Sequence, residues 1–291
     1  MAATHRTSNP ALFTVVIPTH NRPDLLESAV NSVLEQRRVE VECVVVDDGS
    51  GVAVEEWDDP RVRVVRHPTP RGPAEARNTG IRNARGMYVS FLDDDDRYLP
   101  TRLDAVAEYV SSGVAVLCWS AAIGKPAQPG RLLYGNEFDR ILDGSTPQIG
   151  TITLPLDDCP YFDPDLVLNE DIDWWLRAAE RCRFLTVPFA LHSFREHCGP
   201  RITDRARDRL RYSWLLIEKN AEYFSSHPKA LEFRLRRMGL IALEAGFDRQ
   251  SIEYFFASML ARPSLKSSGH LIRAALVLSR DIVVPQDGLR P

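Results

Sequence analysis

No apolar run in the 291 residues is long enough to span a bilayer. The longest charge-free stretch, Tyr109 to Gly124, is broken by Ser111, Ser112 and Gly113 and falls short of the roughly twenty apolar residues required. Met1 to Leu12 likewise lacks an apolar segment, which argues against a secretory leader. Cysteine is sparse: Cys43, Cys118, Cys159, Cys182 and Cys198 form no Cys-x-x-Cys pair, which excludes a disulfide framework and a zinc knuckle and predicts reduced, mostly buried thiols. Nor is there a large excess of one charge. With 36 basic and 40 acidic residues the net charge is −4, so no nucleic-acid partner is expected. G-x-G-x-x-G, the P-loop, G-x-S-x-G and H-E-x-x-H are all missing, which removes dinucleotide and P-loop phosphate cradles, serine hydrolases and zincins. These absences predict a soluble cytoplasmic protein, with peripheral contact at the inner membrane as the alternative.

What is present is an alternation of strands and helices. Phe13 to Ile17 is a β-branched run ending at Pro18, and Pro23 then opens a segment with apolar residues at Leu25, Leu26, Ala29, Val30, Val33 and Leu34. Strands follow at Val41–Val46, Val62–Val65, Met87–Leu92 and Val114–Trp119, with a helix over Ala74–Arg85 and a further strand at Phe184–Phe189. This pattern predicts βαβ units and a mostly parallel, Rossmann-like α/β sheet covered by helices on both faces. Ile123 to Pro160, rich in Gly, Pro and polar residues and of a length that carries function or disorder, reads as an acceptor-side loop region. After Ile202 only helices are predicted, at Asp204–Phe224, Ala230–Ala245, Gln250–Ala261 and Leu265–Ser279, so residues 11–200 form the α/β domain and 201–285 a helical extension.

Two acidic clusters fall at the C-terminal ends of predicted parallel strands, Asp47-Asp48 and Asp93 to Asp96, where open α/β sheets bind ligands. Asp-Asp-Gly-Ser is also ordinary turn chemistry. Four consecutive aspartates are harder to explain that way, because crowded carboxylates repel and invite a cation. A hard divalent ion held by carboxylates typically shares a phosphorylated substrate, whose remaining charge would fall to Arg71 or Arg77. Asn169-Glu170-Asp171-Ile172-Asp173 opens a further helix, either stabilising its N-terminus or supplying a general base. The following pair, Trp174-Trp175, reads as core. His197, in Arg195-Glu196-His197, is read either as a surface residue or as a phosphate or metal ligand.

In order, Val-Val-Ile-Pro-Thr-His-Asn-Arg (15–22), Val-Val-Val-Asp-Asp-Gly-Ser (44–50), Ala-Arg-Asn-Thr-Gly-Ile-Arg-Asn-Ala-Arg-Gly (76–86), Phe-Leu-Asp-Asp-Asp-Asp-Arg-Tyr-Leu-Pro (91–100) and the segment Phe162 to Arg177 resemble the family-2 inverting glycosyltransferases of the GT-A fold. The resemblance covers residues 13 to about 200. It implies that Pro18, Thr19 and His20 line the nucleoside pocket, with His20 standing where the family often has Tyr, and that Asp48 accepts from the base. Asp93 or Asp94 would face the ribose, Asp95 would hold Mg²⁺ or Mn²⁺ against the diphosphate, and Asp171 would be the catalytic base. Asn169 replaces a residue that is usually small, and Ile149–Phe162 is shorter than usual. The Gln-x-x-Arg-Trp motif of processive synthases is missing.

The expected activity is therefore metal-dependent, non-processive transfer of one sugar from a nucleoside-diphosphate sugar, UDP- or dTDP-linked, to an acceptor hydroxyl or amine. A sugar-nucleotide pyrophosphorylase would need a Gly-rich basic loop after the first strand, unlike Pro18 to Arg22. A non-catalytic nucleotide-sugar-binding protein is the other alternative. The acceptor is not legible. The helical extension is expected to serve association rather than chemistry, as a homodimer surface or at an anionic membrane, with simple packing on the parent domain as the alternative; Leu271, Ala274, Ala275 and Leu278 mark one apolar stripe, with Arg273 and Arg280 beside it.

Overall fold

The β-branched run after Leu12 is buried on both faces, as a central parallel strand must be. The computed structural model describes residues 12–124, 133–134, 146–196 and 205–281. Its first part comprises β1 (Leu12–Thr19), α1 (Pro23–Leu34), β2 (Glu40–Asp47), β3 (Val62–Arg66), α2 (Pro73–Asn83), β4 (Tyr88–Phe91), β5 (Arg97–Tyr98), α3 (Arg102–Ala107), β6 (Val114–Ala122), β7 (Leu133–Tyr134), β8 (Ile152–Pro155), α4 (Glu170–Arg181) and β9 (Arg183–Phe194).

Helices cover the two faces of β1 and β2 differently. On one side Leu26, Ala29, Val30 and Val33 of α1, spaced three and four apart, pack with Val15, Ile17, Cys43 and Val45. On the other, Ala76 of α2 meets Val44 and Val46. Close approach of α2 requires Gly80, because a Cβ there would lie 2.1 Å from Val16 Cγ1. Proline in the first turn of both helices supplies a preset φ where no intrahelical N–H bond is lost.

The sheet runs in the order β3-β2-β1-β4-β8-β6-β9-β5, with β7 also on β9. Its first four strands are parallel, as the alternation predicts. Beyond β4 the sheet is mixed: β8 is antiparallel to both β4 and β6, β9 is parallel to β6, and β5 and β7 are antiparallel to β9. Part of the segment read as a loop, Ile123 to Pro160, is thus a buried sheet strand. The four residues of β8 are all buried, so they show no alternation by which to read them. Strand β9 also continues to Phe194, beyond the expected Phe189.

Helix α4 is fixed to the sheet by aromatic packing. Trp174 stacks on Phe162 at 5.2 Å and meets the edge of Phe91 at 5.6 Å, and its Nε1 donates to the Pro160 carbonyl at 2.7 Å. Both tryptophans are fully buried. Cys43, Cys118, Cys159 and Cys182 are free and buried, as expected; Cys198 lies outside the described residues.

The described residues fall into two compact units, 12–196 and 205–281. The second contains α5 (Ala206–Lys219), α6 (Ala221–Ser226), α7 (Pro228–Glu244), α8 (Asp248–Ala261) and α9 (Leu265–Asp281). Its core gathers Leu210, Leu235, Met238, Ile241 and Ala242. In the apolar stripe on α9, Ala274 is fully buried and Leu271 half-buried. Of the side chains of Ala275, Leu278 and Arg280 nothing is described.

Candidate active site

Parallel pairing brings the strand ends into one row. Thr19 pairs with Asp47, and Val16 with Phe91, so Thr19-His20, Asp47-Asp48 and Asp93–Asp96 emerge at the same edge. Each carboxylate there has its own partners. Asp47 is fully buried, and although burial opposes its charge, the Ser50 and Val54 amides and Arg66 at 2.5 Å hold its carboxyl below the usual range.

Asp48 organises the loop before α2. Its Oδ1 accepts from the Arg71 amide and its Oδ2 from the Gly72 amide, both at 2.8 Å, while His67 Nδ1 lies 2.7 Å from Oδ1. The other nitrogen of this buried imidazole meets Thr79 Oγ1 at 2.8 Å. The turn needs glycine at 49, where φ is +70° and a Cβ would lie 2.6 Å from Pro70 N. With three hydrogen bonds already made, two on Oδ1 and one on Oδ2, the second oxygen of Asp48 has accepting capacity left. His20 Nδ1 lies 2.8 Å from the Asp48 carbonyl oxygen and Nε2 lies 2.7 Å from Asn21 Nδ2, so the neutral ring carries its proton on Nδ1. The imidazole is held in place with its ring exposed. Pro18, half-buried, and Thr19 complete this corner.

The four aspartates after β4 diverge. Asp93, half-exposed, accepts from Arg77 at 2.8 Å. Asp94 accepts from Thr19 Oγ1 at 2.8 Å and from Arg22 at 3.1 Å, and burial pushes its carboxyl up to about 6 against those two donors. Asp95 accepts from the same Arg22 nitrogen at 2.8 Å. Asp96 accepts the Arg195 amide at 3.0 Å and lies 3.1 Å from His192 Nε2; burial raises its carboxyl too.

Arg77 joins this edge to the start of α4. It is buried, with one nitrogen 2.8 Å from Asp93 and another 3.3 Å from Glu170. Burial, and then the neighbouring Asp171, push the Glu170 carboxyl up to about 7, against the pull of Arg77. Asp171 is half-buried in the first turn, its Oδ1 accepting from the Ile172 amide at 2.8 Å. Asp173 faces the interior and is bound by Arg177 at 2.6 Å, a structural pair. Asn169, where a small residue is usual, holds the helix entry with φ +64°.

The structure thus brings Pro18, Thr19, His20, Asp48, Asp93, Asp94, Asp95, Arg77 and Asp171 to one edge. The Arg71 side chain is exposed and 3.7 Å from Glu75. His197 lies outside the described residues. Sequence reasoning missed Arg22 and His67 as site residues. Arg22 stands in the quoted 15–22 segment, whereas His67 follows a short strand with no motif around it.

Residues 14–151 match the family Glycosyl transferase family 2. The chain is 43% identical over 99 residues to the succinoglycan biosynthesis protein ExoO of Rhizobium meliloti, covering 33% of this chain and 28% of that protein. It is 26% identical over 202 residues to the UDP-Glc:alpha-D-GlcNAc-diphosphoundecaprenol beta-1,3-glucosyltransferase WfgD of Escherichia coli, covering 62% of this chain and 77% of WfgD. The match spans about three tenths of the length of several curated relatives. The crystal structure of S. aureus TarS 1–349 shares the fold, with a TM-score of 0.66 at 18% identity over 93% of this chain and 90% of that one. The same TarS fragment in complex with UDP-GlcNAc superposes with a TM-score of 0.59 at 19% identity, over 92% of each chain. Residues 14–151 therefore carry the glycosyl transferase family 2 match, within a unit of the GT-A fold.

Proposed function

We propose that this protein moves one sugar from a UDP- or dTDP-linked donor to an acceptor hydroxyl or amine, with inversion at the anomeric carbon. The observation that carries this reading is Arg77, which ties Asp93, at the end of a sheet strand, to Glu170, at the start of the helix that carries Asp171. Two carboxylate groups remote in sequence thereby face one reaction space. WfgD is named for a UDP-glucose donor, and TarS is described with UDP-GlcNAc.

In this mechanism His20 stacks on the base, Asp48 accepts from it through its remaining lone pair, and Asp93 or Asp94 meets the ribose. Asp171 takes the proton from the attacking acceptor as the new bond forms, opposite the departing diphosphate. Arg77, with its guanidinium engaged by Asp93 and Glu170, keeps the two halves in register. The exposed Arg71 guanidinium, held by a loose pair with Glu75, would swing toward phosphate.

The residues suit Mg²⁺ or Mn²⁺. Asp95 Oδ2 already faces a cationic group, the half-exposed Arg22 guanidinium. Among the described residues no three His, Cys, Asp or Glu side chains converge on one point. Asp95 would then be the main protein ligand, the shell being completed by diphosphate and water. Such an ion would supply charge neutralisation for the departing diphosphate.

The test is to incubate the protein with Mn²⁺ and a panel of nucleotide sugars, follow diphosphate release, and assign the anomeric configuration of the product. Release with an inverted product is expected. Tight donor binding without release under any acceptor would favour the non-catalytic alternative. Among the described residues no helix is long and apolar enough to cross a membrane, and a cytoplasmic site of action is part of this proposal.

A further inference from the structure

The helical unit carries charge of the opposite sign to the chain as a whole. Residues 205–281 hold fourteen Lys and Arg against eight Asp and Glu, in a chain of net charge −4. The bias concentrates at its end: from Tyr254 to Arg280 there are Arg262, Lys266, Arg273 and Arg280, and no acidic residue.

The same segment exposes large apolar side chains. Helices α8 and α9 are joined by Arg262-Pro263-Ser264, and they pack through Phe255, stacked on His270 at 5.4 Å, with Ser251, Ser258, Ser267 and Ala274 also buried. The residues left outside are Phe256 and Leu260, one turn apart on α8, and Leu265 and Ile272, two turns apart on α9. Leu260 is 72% exposed, Leu265 94% and Ile272 62%. Arg262, Lys266 and Arg273 alternate with them, all exposed.

We propose that this helical hairpin docks on an anionic phospholipid surface, with Leu260 and Leu265 at its turn entering the acyl boundary and Arg262, Lys266 and Arg273 meeting the headgroups. Protruding apolar side chains interspersed with basic ones match a bilayer interface, and the exposed Glu253, one turn before Phe256, is paired with Arg249 at 3.2 Å. A second copy fits poorly, because a two-fold contact through this patch would set like charges together. A nucleic acid would leave the leucines without an apolar partner. Neither helix, of 14 and 17 residues, is long and apolar enough to span, so the proposed contact is with the surface. The inference is independent of the transfer reaction.

The test is sedimentation of the full chain with vesicles of phosphatidylglycerol and phosphatidylcholine, against phosphatidylcholine alone, at low and high salt. Binding to the anionic vesicles that weakens with salt is expected. Arg262→Gln/Lys266→Gln should reduce it by more than about tenfold, since each basic residue near such a surface contributes several-fold. Leu260→Ser/Leu265→Ser should also reduce it, with unchanged circular dichroism. A Leu265→Trp variant should show a blue-shifted emission on anionic vesicles only. Equal binding to both vesicle types, absence of binding, or no emission shift would overturn the proposal. So would self-association without lipid that the same leucine variants abolish.

Discussion

Arg22 and Asp95 meet at 2.8 Å, and the same guanidinium nitrogen reaches Asp94 at 3.1 Å. The loop after β1 thus places a positive charge on the acidic edge that the fold would otherwise leave to an external cation. Arg22→Ala should therefore bind Mn²⁺ a few-fold more tightly in the presence of UDP, a modest change because Arg22 is half-exposed and screened. Electron paramagnetic resonance of free Mn²⁺ reads this directly. Weaker binding by the variant would mean that Arg22 shapes the site instead of competing for it. For the unmodified protein, equal UDP affinity in EDTA and in Mn²⁺ would remove the metal from the proposal.

Asp171→Asn should lose about 10²- to 10⁴-fold in turnover while donor affinity hardly changes, because in the proposed mechanism the carboxylate acts on the acceptor proton. Asp173→Asn is expected to behave differently. Its carboxylate is buried against Arg177, so the loss appears as about 2 kcal/mol of stability in urea denaturation. Full transfer by Asp171→Asn, with none by Glu170→Gln, would move the base by one residue.

Glu170 gives the protein a pH-dependent stability of definite sign. Its carboxyl, raised from 4.5 to about 7 chiefly by burial, binds a proton in the folded state where the unfolded chain has released it. Stability should therefore fall as pH rises from 4.5 toward 7, by at most about 3 kcal/mol from this group. Glu170→Gln should flatten the melting temperature against pH across that window. An unchanged slope would place the dependence elsewhere, with Asp94, raised to about 6, the next group to replace.

Gly80→Ala sets helix propensity against packing. Alanine in a helix interior favours folding by about 1 kcal/mol over glycine. Its Cβ would stand 2.1 Å from Val16 Cγ1 at the centre of β1, a conflict costing about 1–3 kcal/mol. Packing should win, and the variant should unfold at lower urea. A stabilised variant would show that α2 can shift on the sheet.

The sequence by itself determined what depends on neighbours along the chain. The β-branched runs of β1 and β2, the Asp-Asp turns that end β2 and β4, and the apolar spacing of α1 are local patterns, so the strand ends that build the acidic edge were legible. Tertiary structure decided the rest. The four residues of β8 become a strand only because β4 and β6 offer them antiparallel partners and bury both of their faces. Arg77 meets Asp93 and Glu170, partners remote in sequence that only the tertiary packing brings to it. On α9 the apolar stripe begins with Leu271 and Ala274, and Ala274 is buried while Ile272, outside the stripe, is exposed. Helical spacing defines which residues share a face. Only the packing of the neighbouring helices decides which face meets water.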